Sequence, residues 1–151
     1  MDALLTAIVL WISANFDLPA KYDHPKIEIV PATEIAALRY PTFTPDKQRE
    51  ILSLGGNTTG GDVVAIYDST RKTIFLPMGW TGSTPAELSV LVHEEVHHLQ
   101  SAGNLTYECP AAREELAYAA QEKWLGLFGR SLLSEFDIDP FTLKIRTVCG
   151  Y

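Results

Sequence analysis

Apolar positions recur at two different periods along this chain, and the switches between them mark its elements. From Ala3 to Ile12 the bulky residues Leu4, Leu5, Ile8, Trp11 and Ile12 follow helical spacing, and Asn15-Phe16-Asp17-Leu18-Pro19 reads as the end of that helix. The run is far shorter than the ~20 residues of a membrane span. Asp2 stands where a signal peptide would carry positive charge, so a structural first helix packed on the domain is expected. Lys26-Ile27-Glu28-Ile29-Val30 alternates and predicts a strand. Ala32–Leu38 and Asp46–Leu54 predict short helices, the second ended by Gly55-Gly56-Asn57. Val63–Tyr67 and Thr73–Leu76 are β-branched runs joined by Asp68-Ser69-Thr70-Arg71, which signals a hairpin.

The strongest helical signal follows. Thr84-Pro85-Ala86-Glu87 has the form of a capping box with proline in the first turn, and Gly103 supplies a stop, which predicts a helix over Pro85–Ala102. Leu88, Leu91, Val92, Val96 and Leu99 cover the side away from His93 and His97, so the helix is mostly buried with one polar stripe. Pro110 opens a second helix, rich in Ala and Glu, to about Leu127. The short connection from Gly103 to Cys109 favours antiparallel packing of the two. The fold class is α+β, in a single domain over residues 1–151.

The helix predicted over Pro85–Ala102 carries His93-Glu94-Glu95-Val96-His97. Residues four apart share a helix face, so both imidazoles can reach one metal ion, and Glu94 sits about 100° further round. Two imidazoles, Zn2+ and a nearby carboxylate base are the working parts of zinc-dependent amide hydrolysis. The competing reading, histidines on a solvated face, sits badly with flanks as apolar as Leu88-Ser89-Val90-Leu91-Val92. His98 points about 100° away from His97 and suits packing or outer support. A catalytic zinc takes three protein ligands, and either Glu114 or Glu115 can supply the third. Glu114, Tyr118 and Gln121 form one polar stripe of the second helix; the competing reading of Glu114 is an exposed carboxylate near a positive helix end.

His93-Glu94-x-x-His97 followed by Glu114-x-x-Ala117-Tyr118 resembles the gluzincin pattern, at the short spacing of its minimal members. The likeness is closest to small bacterial proteins of minigluzincin type, with Leu-Val-His-Glu-x-Val-His-His-Leu-Gln and Cys-Pro-x-x-x-Glu-x-x-Ala-Tyr. It covers Leu88 to Trp124 only. The resemblance implies a zincin-like metallopeptidase domain whose zinc-binding helix pair packs on a short antiparallel sheet. It implies zinc on His93, His97 and Glu114 (rather than Glu115), with Glu94 as general base. Where gluzincins often place an aspartate to hold the first histidine, this chain has Tyr118. A phenol there can accept the histidine N–H or donate to substrate, but supplies no charge. Tyr118 or Tyr107 is the candidate partner for a developing oxyanion.

The remaining features add less. Twelve Lys and Arg against 19 Asp and Glu give a net charge of −7, which argues against nucleic acid as partner and mildly favours uncharged or basic peptide or protein substrates. Trp80 and Gly79 are candidates for lining the cleft or for plain packing, and the hairpin is a candidate for binding extended substrate along its edge. His24 is a turn residue without an assigned role. Cys109 and Cys149 permit a disulfide, which would place the chain in the periplasm or outside the cell; two reduced thiols in the cytoplasm, or Cys109 as a zinc ligand, are the alternatives. The expected function is a zinc metallopeptidase. A non-catalytic zinc-containing peptide-binding or regulatory module, and zinc-assisted hydrolysis of another carbonyl, are the rivals.

Overall fold

The computed structural model describes residues 1–54 and 65–150. Helix α1 (Asp2–Asn15) leads to strand β1 (Lys26–Val30), helices α2 (Ala32–Arg39) and α3 (Pro45–Leu54), and the hairpin β2 (Ile66–Asp68) and β3 (Thr73–Pro77). Four helices follow: α4 (Pro85–Ala102), α5 (Pro110–Gly126), α6 (Leu132–Phe136) and α7 (Pro140–Thr147). The class is α+β and mostly helical. The expected positions of Gly55-Gly56-Asn57, Val63 and Val64 lie outside the described residues.

The sheet departs from expectation. Among the described residues its order is β1-β3-β2, with β2 antiparallel to β3 but β1 parallel to it, from Lys26↔Thr73 to Val30↔Pro77. It is therefore mixed rather than antiparallel. A parallel neighbour requires a long crossover, and here α2 and α3 lie in the connection. Nothing local to Lys26–Val30 encodes which way its partner runs. Thr73, Ile74, Phe75 and Leu76 of the central strand are buried in succession, as a strand covered on both faces demands. At the hairpin tip the Asp68 Oδ1 accepts from the amides of Thr70 and Arg71 at 2.9 and 3.1 Å.

Helix α4 is the axis of the core. Every residue from Ser89 to Gln100 is buried, polar and apolar alike. Its capping box forms as expected, the Thr84 side chain accepting from the Glu87 amide while the Glu87 carboxylate accepts from Thr84 N. The C-terminal stop differs in detail. Gly103 keeps a right-handed conformation, and the left-handed residue is Asn104 with φ 51°. Glycine is favoured at 103 by crowding: a Cβ there would meet the Leu99 carbonyl oxygen at 3.2 Å and Pro19 at 3.3 Å. Leu5, Ile8, Val9 and Ile12 of α1 pack with Ile74, Leu76 and the apolar residues of α4 and α5 in one cluster. Trp11 of α1 meets Trp124 of α5 edge-on at 5.2 Å.

The C-terminal helices α6 and α7 fall where no element was anticipated. Ser131 and Asp139 cap them, each side chain accepting from backbone amides of the first turn, and Pro140 opens α7. Helix α7 buries no residue fully. It packs on α5, and the disulfide Cys109–Cys149, with Cα atoms 5.9 Å apart, ties the chain just beyond it to the N-cap of α5. A closed loop of that separation, 40 residues, is worth roughly 4 kcal/mol on the chain-entropy account. The bond removes Cys109 from consideration as a metal ligand.

Candidate metal centre

Helices α4 and α5 form an antiparallel pair, visible in the order of their contacts: Gln100 meets Arg113, His97 meets Glu114, and His93 meets Gln121. This brings the predicted residues together. The ligand atoms of His93, His97 and Glu114 lie within 4.8 Å of one another. The Glu114 carboxylate reaches both rings, with Oε2 3.2 Å from His93 Nε2 and Oε1 3.2 Å from His97 Nε2. The neighbouring Glu115 is exposed, so helical phase alone separates the two candidate glutamates. Glu114 keeps a third of its side chain accessible while both histidines are buried, so the group opens outward on the Glu114 side.

Both rings are held from behind by glutamine amides. His97 Nδ1 faces Gln100 Oε1 at 2.9 Å, and His93 Nδ1 faces Gln121 Oε1 at 3.0 Å. The protonation pattern follows by tracing each amide to its far end. Gln100 Nε2 donates to the Arg113 carbonyl at 3.0 Å, so its oxygen must be the atom facing His97. Gln121 Nε2 donates to Ser89 Oγ, whose own proton goes to the Ala86 carbonyl at 2.7 Å. In both rings Nδ1 therefore carries a hydrogen, so the neutral ring has its Nε2 lone pair free to ligate a metal, while the protonated ring donates from Nε2 to Glu114. Two imidazole nitrogens, one carboxylate and fixed tautomers suit Zn2+. Of the two roles open to Tyr118, holding the first histidine from behind is taken by Gln121.

Electrostatics tightens the cluster. Burial opposes charge on Glu114, but hydrogen bonds from His93 and His97 prevail and hold its carboxyl well below the usual range. Burial likewise works against a protonated His97, yet the Glu114 hydrogen bond and the nearby Glu94 and Glu114 charges raise its pKa. Glu94 is buried, and its charge acts on both His97 and Tyr118, so it lies close to the cluster. The Tyr118 ring stands edge-on to His93 with centroids 4.7 Å apart, and its hydroxyl accepts from Arg146 Nη1 at 3.2 Å. Burial, then the Glu114 charge, pushes the phenol up to about 12, so it keeps its proton at neutral pH.

The other candidates fall elsewhere. His98 donates Nε2–H to the Asp23 carbonyl at 2.8 Å and faces the Tyr67 hydroxyl at 3.1 Å, a packing role. His24 meets Thr6 Oγ1 at 2.8 Å. Trp80 packs on the core and donates Nε1–H to the Glu87 carbonyl at 3.1 Å, closing the helix entrance. Tyr107 lines a separate polar cavity of about 360 Å³ with Ser69, Gln100, Ser101, Asn104 and Arg113. Sequence reasoning missed Gln100 and Arg146 altogether, and placed Gln121 on the right stripe without a role. Only the spacing of Gln100, three residues after His97, offered a hint.

No curated protein and no solved structure matches the chain. A family profile does match, that of DUF6647, a domain of unknown function, over residues 1–150. With the match spanning all of α1 to α7, the chain belongs to the DUF6647 family.

Proposed function

We propose that this protein is a zinc-dependent peptide-bond hydrolase, a metallopeptidase of zincin-like type. The observation that carries the reading is the convergence of His93 Nε2, His97 Nε2 and the Glu114 carboxylate within 4.8 Å, beside the buried Glu94. His93, His97 and Glu114 would hold the ion. When bound, Zn2+ supplies Lewis acidity that brings the pKa of a water toward neutral and polarises a carbonyl. Glu94 takes the proton of the attacking water and passes it to the leaving amine. Tyr118, protonated across the physiological range, donates to the carbonyl oxygen as charge develops on it. Gln100 and Gln121 hold the two rings in register.

The short edge strand β2, antiparallel to its neighbour and packed beside α4, is the place for an extended peptide to lie, since β3 is paired along both edges. The Cys109–Cys149 bond supports residence in an oxidising compartment, and no helix among the described residues is long and apolar enough to cross a membrane.

The test is metal analysis of the purified protein, followed by cleavage of a broad peptide library with and without chelator. Stoichiometric zinc with chelator-sensitive cleavage is the expected result. Zinc without cleavage of any peptide would turn the reading to a non-catalytic scaffold, and a protein that takes up no metal would end it.

A further inference from the structure

We infer that the polar cavity between the hairpin tip and the α4–α5 connection binds a small polyhydroxylated monocarboxylate, with Arg113 receiving the carboxylate. The site lies behind the metal centre and stands independently of the hydrolase reading.

The cavity measures about 360 Å³, within the range of ligand-binding clefts, roughly 300–1,000 Å³. At the ~30 Å³ that one water molecule takes up, it has room for about a dozen non-hydrogen atoms. Its lining suits a polar guest. Ser69, Ser101 and Tyr107 bring hydroxyls, Asn104 an amide, and Leu105 is the one aliphatic residue. Hydroxyls and amides both donate and accept, so they match a guest rich in hydroxyls, and a lone leucine offers little to an alkyl chain. Among the described residues no carboxylate lines the cavity, although the chain as a whole carries −7. The side chains of Ser69, Asn104 and Tyr107 have no hydrogen-bond partner among the described residues, which leaves them available to a guest.

Arg113 supplies the charge that selects the guest. Arg49, Arg71 and Arg130 each meet a carboxylate elsewhere in the fold. Arg113 makes no ion pair among the described residues, and its guanidinium has one hydrogen bond, from Nη2 to the His97 carbonyl at 3.5 Å. It is partly buried, so it has given up water without gaining an anion. A planar carboxylate matches the guanidinium fork. A phosphate monoester carries about −1.5 to −2 at neutral pH, more than one arginine balances in an acidic protein, whereas a carboxylate carries a single charge. Gln100 forms the wall shared with the metal centre: its Oε1 stands 2.9 Å from His97 Nδ1, and its Nε2 donates to the Arg113 carbonyl at 3.0 Å. The guest therefore rests against the residues that hold His97 from behind, away from the Glu114 side.

Amide NMR spectra of the purified full-length chain, titrated with gluconate, glucuronate and quinate, test this. The controls are the primary amide of each acid, hexanoate as an acid without hydroxyls, and inorganic phosphate. At least one hydroxy acid should bind with a Kd of about 1 mM or tighter and shift the backbone amides of Ser69, Asn104 and Tyr107. Its primary amide should bind about 10-fold or more weakly, because the charge-assisted bonds to Arg113 are lost. Arg113→Gln should remove the preference for acid over amide at unchanged melting temperature, and Arg113→Lys should keep part of it. Tyr107→Phe and Asn104→Ala should each weaken the acid about 2- to 10-fold while the preference over the amide survives. Binding of all three acids weaker than about 10 mM, or equal binding of acids and amides, overturns the proposal. So does an acid preference retained in Arg113→Gln. Shifts confined to Glu94, Glu114 and Tyr118 would put the carboxylate on the metal centre and overturn the cavity as its site. Tighter binding of phosphate or hexanoate than of every hydroxy acid overturns the assigned class.

Discussion

The ring nitrogen Nδ1 of His97 and the amide oxygen of Gln100 stand 2.9 Å apart on successive turns of one buried helix. Gln121 repeats the arrangement from the facing helix on His93. A neutral amide fixes the tautomer as a carboxylate would, without placing another negative charge next to Glu94 and Glu114. It also makes each imidazole less basic than a carboxylate partner would. Gln100→Leu and Gln121→Leu should each lower zinc affinity about 10- to 100-fold with the fold retained. Competition against a chelator of known affinity checks this, and unchanged affinity in both variants would show the amides to be packing alone.

Glu114 and Glu115 are adjacent, yet only the first faces the rings. Glu114→Ala should abolish stoichiometric zinc binding, and Glu115→Ala should leave it unchanged. Glu94→Gln should keep the zinc and lose about 10²- to 10⁴-fold or more in turnover. Substantial residual hydrolysis in that variant would refute the role of Glu94.

Glu95 is completely buried, and neither of its carboxylate oxygens has a hydrogen-bond partner among the described residues. Burial alone raises its carboxyl to about 8. The unfolded chain ionises this group near ~4.3 while the folded chain keeps it protonated, so the folded state binds more protons between those values. Its stability relative to Glu95→Gln should be highest in acid and fall by as much as about 5 kcal/mol as pH rises through that window. Denaturant melts of the two proteins at several pH values provide the comparison. Parallel curves would mean that Glu95 ionises in the fold without cost.

Glu87 works in the opposite direction. Its carboxylate accepts from Thr81 N, Thr81 Oγ1, Ser83 N and Thr84 N at 2.9 to 3.2 Å. Burial disfavours its charge, but these donors prevail and lower the pKa. The stabilisation is present above the unfolded value and is lost as pH falls through the depressed folded one. Glu87→Ala should cost about 0.5–2 kcal/mol at neutral pH and nearly nothing in strong acid. An equal loss at both pH values would contradict the cap.

Reduction of Cys109–Cys149 should lower stability by at most about 4 kcal/mol. It should also loosen α7 from α5 before it weakens zinc binding. The three ligands sit on α4 and α5, which stay packed through the core, whereas Arg146 rides on α7. Zinc titration and limited proteolysis at α7 under thiol reductant separate the two effects. Loss of zinc first would mean that the disulfide supports Glu114 directly.

Much of this was legible in the chain. The capping box at Thr84, the proline at 110 and the histidine spacing are local patterns, in which each residue acts on neighbours within four positions. They specified both helices of the pair to within a residue at each end, together with the polar stripe that carries Glu114 and Gln121. The first helix, the strand at Lys26–Val30 and the hairpin were equally local, each written in its own apolar period.

Tertiary structure alone decided the rest, because it depends on what meets across long separations. Parallel pairing of β1 with β3 follows from a crossover of some forty residues, which no strand encodes by itself. Gln100 and Gln121 are ordinary polar residues until the antiparallel packing of α4 and α5 turns their amide oxygens onto two rings. Arg146 reaches Tyr118 because a disulfide holds an otherwise exposed helix against α5. Helical period puts the chemistry on one face; the choice of neighbours for that face belongs to the fold.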